Sequence, residues 1–171
     1  MDDPNASAPV EGGLPSDAEK VVLAMIAAVW NGRDRNSLSE AIMRHHSPDF
    51  VDHSAPPGLD KGLKGTEEAV GKFLQACPDS WVEMRTQFMQ GDWVVSFVDY
   101  SGTHEGDLPG VPASGRPVYL TGAWFDRVRD GVICERRASF GLTDLMRQLQ
   151  APVRNHPARA AVRPLPVDLR W

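Results

Sequence analysis

Two histidines stand where an imidazole can do acid–base work. His104 sits in Gly102-Thr103-His104-Glu105-Gly106, at the end of a run rich in Val, Trp, Phe and Tyr. If it points inward, Val94, Ser96, Val98, Tyr100 and Gly102 share its face, because side chains alternate along a strand. That face is apolar with a few polar groups, the composition of a small-molecule pocket. His53 follows Phe50-Val51-Asp52 and precedes Ser54-Ala55-Pro56-Pro57-Gly58. This is a rim position, from which an imidazole titrates near neutral pH. For each histidine a catalytic role and a hydrogen-bonded structural role are both open.

Arg137 shares parity with Ile133, Glu135, Ser139 and Gly141 on the last strand candidate. A buried arginine must be paired, and Glu135 or Asp126 can pair it. Its other use is as a clamp on an enolate, phenolate or carboxylate, since guanidinium does not deprotonate. Tyr100 lies on the His104 face, and Trp124 with Trp30 can stack on a flat aromatic ligand or pack in the core. His45 and His46 are adjacent and point about 100° apart on a helix, so they do not chelate a metal as a pair. Gly62-Leu63-Lys64-Gly65-Thr66 lacks the spacing of a phosphate loop.

These groups need elements to hold them. Ser16 with Glu19 has capping-box spacing, and Val21, Val22, Met25, Ile26, Val29 and Trp30 recur at helical intervals until Asn31-Gly32, a left-handed stop. A second helix is expected over about Ser37 to His45, then a short strand from Asp49 to His53. A third helix starts at Thr66 and ends before Pro78. From Trp81 the period changes to two, giving strands at 81–90, 93–105, 116–129 and 132–140. Gly91-Asp92 and Asp130-Gly131 are turn signals, so these strands are antiparallel. Thr143 or Ser139 starts a last helix through Leu145, Met146 and Leu149. The order implies an α+β fold: a cone-shaped, curved antiparallel sheet wrapped around three N-terminal helices, with an apolar pocket.

The chain has 171 residues, enough for one domain with a substantial core. No apolar run approaches the roughly 18 residues of a membrane helix, and Met1-Asp2-Asp3 opens no secretory signal, so a cytoplasmic location is expected. Cys77 and Cys134 lack metal spacing and read as reduced. A net charge of −5 argues against a nucleic-acid partner. Residues 1–15 read as a lead-in and 16–150 as the domain. Residues 151–171, with four arginines, four prolines and one aspartate, read as a separate tail, either a solvated arm or one packed on the acidic body or on a second subunit.

Five stretches occur in a characteristic order: Cys77-Pro78-Asp79; Gly102-Thr103-His104-Glu105-Gly106; Gly110-Val111-Pro112-Ala113-Ser114-Gly115-Arg116; Arg127 through Glu135; and Arg147-Gln148-Leu149. Over about residues 18–150 the chain resembles the SnoaL-like polyketide cyclases, which are similar to the nuclear transport factor 2 and ketosteroid isomerase superfamily. The resemblance implies cofactor-free aldol closure of a polyketide, a hydrophobic small-molecule substrate and a homodimer. In that family an aspartate lies seven residues before the glutamine matched here by Gln148. Gly141 stands at that position, Arg137 replaces a tryptophan and Gln150 a glycine. Three uses of the pocket follow: cyclisation with His53 or His104 as base, hydroxylation with a partner reductase, or binding without catalysis. A subunit that mainly dimerises through its exposed sheet is a fourth reading.

Overall fold

A computed structural model describes residues 15–32, 37–108 and 110–150; the expected lead-in, apart from Pro15, and the arginine-rich tail lie outside the described residues. Helix α1 spans Asp17–Met25 and continues as a π-helical turn over Ile26–Trp30. Its capping box forms as read: Ser16 Oγ accepts from Glu19 N (3.3 Å) and Ser16 N donates to Glu19 Oε2 (2.7 Å). The left-handed stop does not form, because Asn31 is right-handed at φ −98°. Instead the Asn31 side chain donates to Val82 O and accepts from Val82 N, both at 2.8 Å, and so welds the helix end to the sheet. Gly32 is required by close approach, since a Cβ there would lie 2.3 Å from Ala28 O.

Helix α2 (Leu38–His45) runs directly into strand β1 (His46–Asp52), which starts three residues earlier than expected. Pro48 fits within β1 because β1 is an edge strand and an edge tolerates a missing donor. Helix α3 (Leu63–Ala76) also starts early. Thr66 is not its cap: Asp60 Oδ1 accepts from Gly62 N (2.7 Å), and the Thr66 hydroxyl donates to Gly62 O (3.0 Å) inside the first turn.

Strands β2 (Trp81–Gln90), β3 (Trp93–His104), β4 (Arg116–Arg129) and β5 (Val132–Phe140) fall where the period-two runs place them. The four form an antiparallel meander, and β1 joins β5 in parallel, giving the order β1-β5-β4-β3-β2. Asp130 and Gly131 both have positive φ (50° and 77°), the backbone of a tight two-residue hairpin. Helix α4 (Leu142–Gln150) crosses the part of β4 that extends beyond the end of β5. There the Gln148 side chain accepts from Tyr119 N (2.9 Å) and donates to Tyr119 O (2.7 Å).

One irregularity reorients β5. Arg127 pairs with Glu135 and Val128 with Ile133, so Cys134 is the extra residue of a β-bulge. Past it the inward set becomes Arg136, Ala138 and Phe140, and Arg137 turns out to solvent. The core between helices and sheet contains Val22, Met25, Ile42, Val94, Val98 and Ile133, each no more than 2% exposed.

Truncating Asn31 to Ala leaves the Val82 amide and carbonyl unmatched in a buried setting. Such a loss costs about 1–3 kcal/mol. Urea unfolding of Asn31→Ala is expected to show a lower midpoint by that amount, with the slope unchanged.

Candidate functional site

The helices and the concave face of the sheet enclose a cavity of about 370 Å³. Its walls are aromatic: Trp30 from the π-helical end of α1, Phe73 from α3, Tyr100 from β3, Trp124 from β4 and Phe140 from β5. Trp30 and Trp124 lie with centroids 5.7 Å apart, tilted by 30°, and Tyr100 stands edge-on to both Trp30 (6.3 Å) and Phe73 (6.0 Å). Phe140 meets the edge of Trp124 at 5.9 Å. Its ring lies on the bare Gly122, where a Cβ would come within 2.3 Å of it. Ser54 and Pro56 also line the cavity, and the Ser54 hydroxyl is committed to Ala138, accepting from its N (2.6 Å) and donating to its O (3.2 Å).

Two donors in these walls are unused. Trp30 Nε1 and the Tyr100 hydroxyl are buried without a hydrogen-bond partner. The Tyr100 hydroxyl ends beside Ser80 and Cys77, and burial pushes its pKa well above the ordinary phenol value, so it stays protonated. None of the residues lining the cavity carries a carboxylate, imidazole or amine.

The structure therefore brings together three of the residues picked from sequence, Trp30, Tyr100 and Trp124, and leaves the other three outside the lining. His104 faces inward as parity required, but it is fully buried beyond Tyr100's end of the sheet. Its Nδ1 lies 3.0 Å from Ser114 Oγ, and its carbonyl accepts from Ser114 and Gly115, which pins the 105–115 loop. His53 does not sit at the rim of the cavity. It lies on the other side of the sheet, with Nε2 2.9 Å from Glu135 Oε1, in a groove with Arg127, Arg129 and Cys134. The alternation that buries Phe50 turns Val51 and His53 outward. Arg137 does not face inward either: its side chain is 58% exposed and reaches Glu135 at 3.6 Å. The Cys134 bulge is the reason, and it gives the inward place to Arg136.

Sequence reasoning offered Asp126 as a partner for Arg137 and missed Arg136. Its side chain is 5% exposed and holds Asp126 through two bonds, Nε to Oδ1 at 2.7 Å and Nη2 to Oδ2 at 3.1 Å. Its guanidinium carbon stands 5.1 Å over the Trp124 ring. Burial pulls the Asp126 carboxyl upward, with Arg136 opposing. His46 completes this polar layer. Its Nδ1 donates to Ile42 O (2.9 Å), and burial, helped by the Arg136 charge, lowers its pKa to about 3.

Comparison with known proteins agrees with this architecture. The family model of the SnoaL-like polyketide cyclases matches residues 20–149. Among solved structures, a candidate SnoaL-like polyketide cyclase from Jannaschia sp. CCS1 superposes with a TM-score of 0.72 at 21% identity, covering 86% of this chain and 98% of that one. AclR, a candidate hydroxylase from Streptomyces galilaeus, gives 0.66 at 27% identity, covering 78% and 95%. IdmH, a candidate polyketide cyclase from Streptomyces antibioticus, gives 0.66 at 24%, covering 78% and 99%. No curated protein matches the sequence.

His46 links stability to pH. Its folded pKa lies below the unfolded value of about 6.5, so between the two values the unfolded chain binds the extra proton. Its contribution is complete above pH 6.5 and is lost as the pH falls toward 3. Denaturant unfolding at stepped pH should show wild type losing stability faster than His46→Gln in that window, by up to about 1.4 kcal/mol per pH unit.

Proposed function

Because the chain belongs to the SnoaL-like polyketide cyclase family, we propose that its aromatic cavity takes a polycyclic, polyketide-like molecule and promotes an aldol-type ring closure without a cofactor, in cytoplasmic secondary metabolism. The observation that carries this reading is the unpartnered Trp30 Nε1 in a cavity walled by rings, with the Tyr100 hydroxyl at its margin beside Ser80 and Cys77. A buried donor without an acceptor costs about 1–3 kcal/mol, and a ligand oxygen removes that cost. Flat rings gain further from offset or edge contacts with Trp30 and Trp124. A volume of about 370 Å³ lies at the low end of the ligand-pocket range and suits two or three fused rings.

The chemistry follows from the donors. A carbon between two carbonyls loses its proton to solvent base, and the resulting enolate oxygen receives hydrogen bonds from the two side chains. The enolate carbon then attacks a second carbonyl, and the alkoxide formed takes a proton back from water. Donors aimed at developing charge contribute up to about 10²–10³ in rate each. Neither histidine is needed in this scheme, in keeping with their places outside the lining.

A second reading is binding without turnover, favoured by a lining that holds no carboxylate, imidazole or amine and by Gly141. Hydroxylation with a partner reductase draws support from the likeness to AclR. The three separate in one experiment. Purified protein is titrated with 1-hydroxyanthraquinone, following quenching of tryptophan fluorescence, and is then given a 1,3-dicarbonyl polyketide ester with and without a reductase. Cyclisation predicts saturable binding, ring closure without reductase, a loss of at least tenfold in rate for Tyr100→Phe and for Trp30→Phe, and no histidine inflection between pH 6 and 9. Binding with no product favours the binding module. Failure of the probe to bind removes the cavity reading altogether.

The outer face of the sheet carries exposed Phe88, Phe97, Tyr119 and Phe125, with Phe88 and Phe97 at 6.3 Å and an Arg85–Asp99 ion pair on the same two strands. We propose that a second copy of the chain covers this face. Light scattering is expected to give twice the chain mass for wild type and the single mass for Phe97→Glu; a wild-type monomer would refute the dimer.

A further inference from the structure

The buried pair Arg136–Asp126 lies outside the cavity lining, yet Arg136 touches one of its walls. Replacing such a pair by well-packed apolar residues is often neutral or stabilising, so its presence in a core is poorly explained by stability. Its geometry offers another role. Asp126 holds the guanidinium by two bonds, Met25 Sδ lies 3.9 Å from Nη2, and burial removes the freedom to swing away. The fixed, planar cation sits over the Trp124 ring at 5.1 Å. Phe140 bears on the edge of the same ring, and Trp30 lies 5.7 Å from it. Trp124 is thus held by groups on two elements, β5 and the π-helical end of α1.

We infer that Arg136 is a positioning residue for the cavity: anchored by Asp126, it sets the plane of Trp124 on which a flat ligand stacks. The inference rests on the reading of the cavity as a ligand site. The β5 bulge is part of the device, because it turns Arg136 inward opposite Asp126 and two residues before Ala138, the partner of Trp124. A guanidinium suits the task better than an ammonium, since its plane stacks on an indole and its fork engages both carboxylate oxygens.

The test uses the double variant Arg136→Met with Asp126→Leu, which removes the pair without leaving a lone buried charge, and Arg136→Lys, which keeps the charge but not the plane. Trp124→Phe serves as the reference for what Trp124 contributes. Far-UV circular dichroism and urea midpoints report the fold. Near-UV circular dichroism reports the coupled Trp30 and Trp124 rings, and quenching by 1-hydroxyanthraquinone reports affinity. The expected result is a wild-type far-UV spectrum, a near-UV signal reduced toward that of Trp124→Phe, and a Kd about tenfold weaker. A wild-type near-UV spectrum and Kd in both Arg136 variants would overturn the positioning role. If the double variant does not fold, Arg136→Lys alone decides by the same two readouts. If wild type fails to bind the probe, the ligand reading falls, and the near-UV comparison still decides whether Arg136 sets Trp124.

Discussion

A single extra residue in one strand governs the site. Sheet side chains repeat with a period of two, so inserting Cys134 opposite Arg127 reverses the faces of everything that follows on β5. Without it Glu135 and Arg137 would face the helices, two charges of opposite sign aimed at a tight core. With it the inward residues are Arg136, which meets Asp126, and then Ala138 and Phe140, which leave room for an aromatic cavity. The same inversion sends Glu135 to the outer face to meet His53. Both polar assemblies on β5 therefore depend on one backbone irregularity.

The inner face is arranged by polarity along its length. Midway along β5, charge is buried as a pair, Arg136 on Asp126, with His46 kept neutral. Farther along, the cavity walls are mostly rings and aliphatic groups, and the buried lining atoms left without partners are the indole nitrogen of Trp30 and the hydroxyl of Tyr100. Charge near a cavity raises the cost of emptying it of water, whereas neutral walls let an apolar ligand displace that water at little cost. Pairing every buried charge outside the lining is what leaves the lining neutral.

Much of this architecture is written locally in the chain. The capping box at Ser16, the two-residue turn at Asp130-Gly131 and the alternating runs from Trp81 onward each rest on neighbouring residues, and each is found in the fold. Trp30, Tyr100 and Trp124 were legible for the same reason, since helical spacing and strand parity placed them. Arg137 was misplaced because parity was carried along β5 without knowing where it breaks, and His53 because it was placed by the loop that follows it and not by the alternation from Phe50. Neither a glycine nor a proline marks the bulge. Its trace is a change of phase in the apolar positions, from Ile133 at an odd number to Ala138 and Phe140 at even ones, around two consecutive arginines. The starts of β1 and α3 were missed where the decisive contacts are an edge position and an aspartate turn rather than propensity.

The amide of Gln148 has a consequence for the sheet as an object among other molecules. β4 outruns β5 by several residues, and an uncovered stretch of strand backbone is a template on which another chain can add. By bonding both the N–H and the C=O of Tyr119, one side chain imitates the strand that is not there. The ladder thus ends in a group that offers no backbone of its own for the next strand, and the molecule is protected from growing into an aggregate at the point where its own hydrogen-bonding pattern runs out.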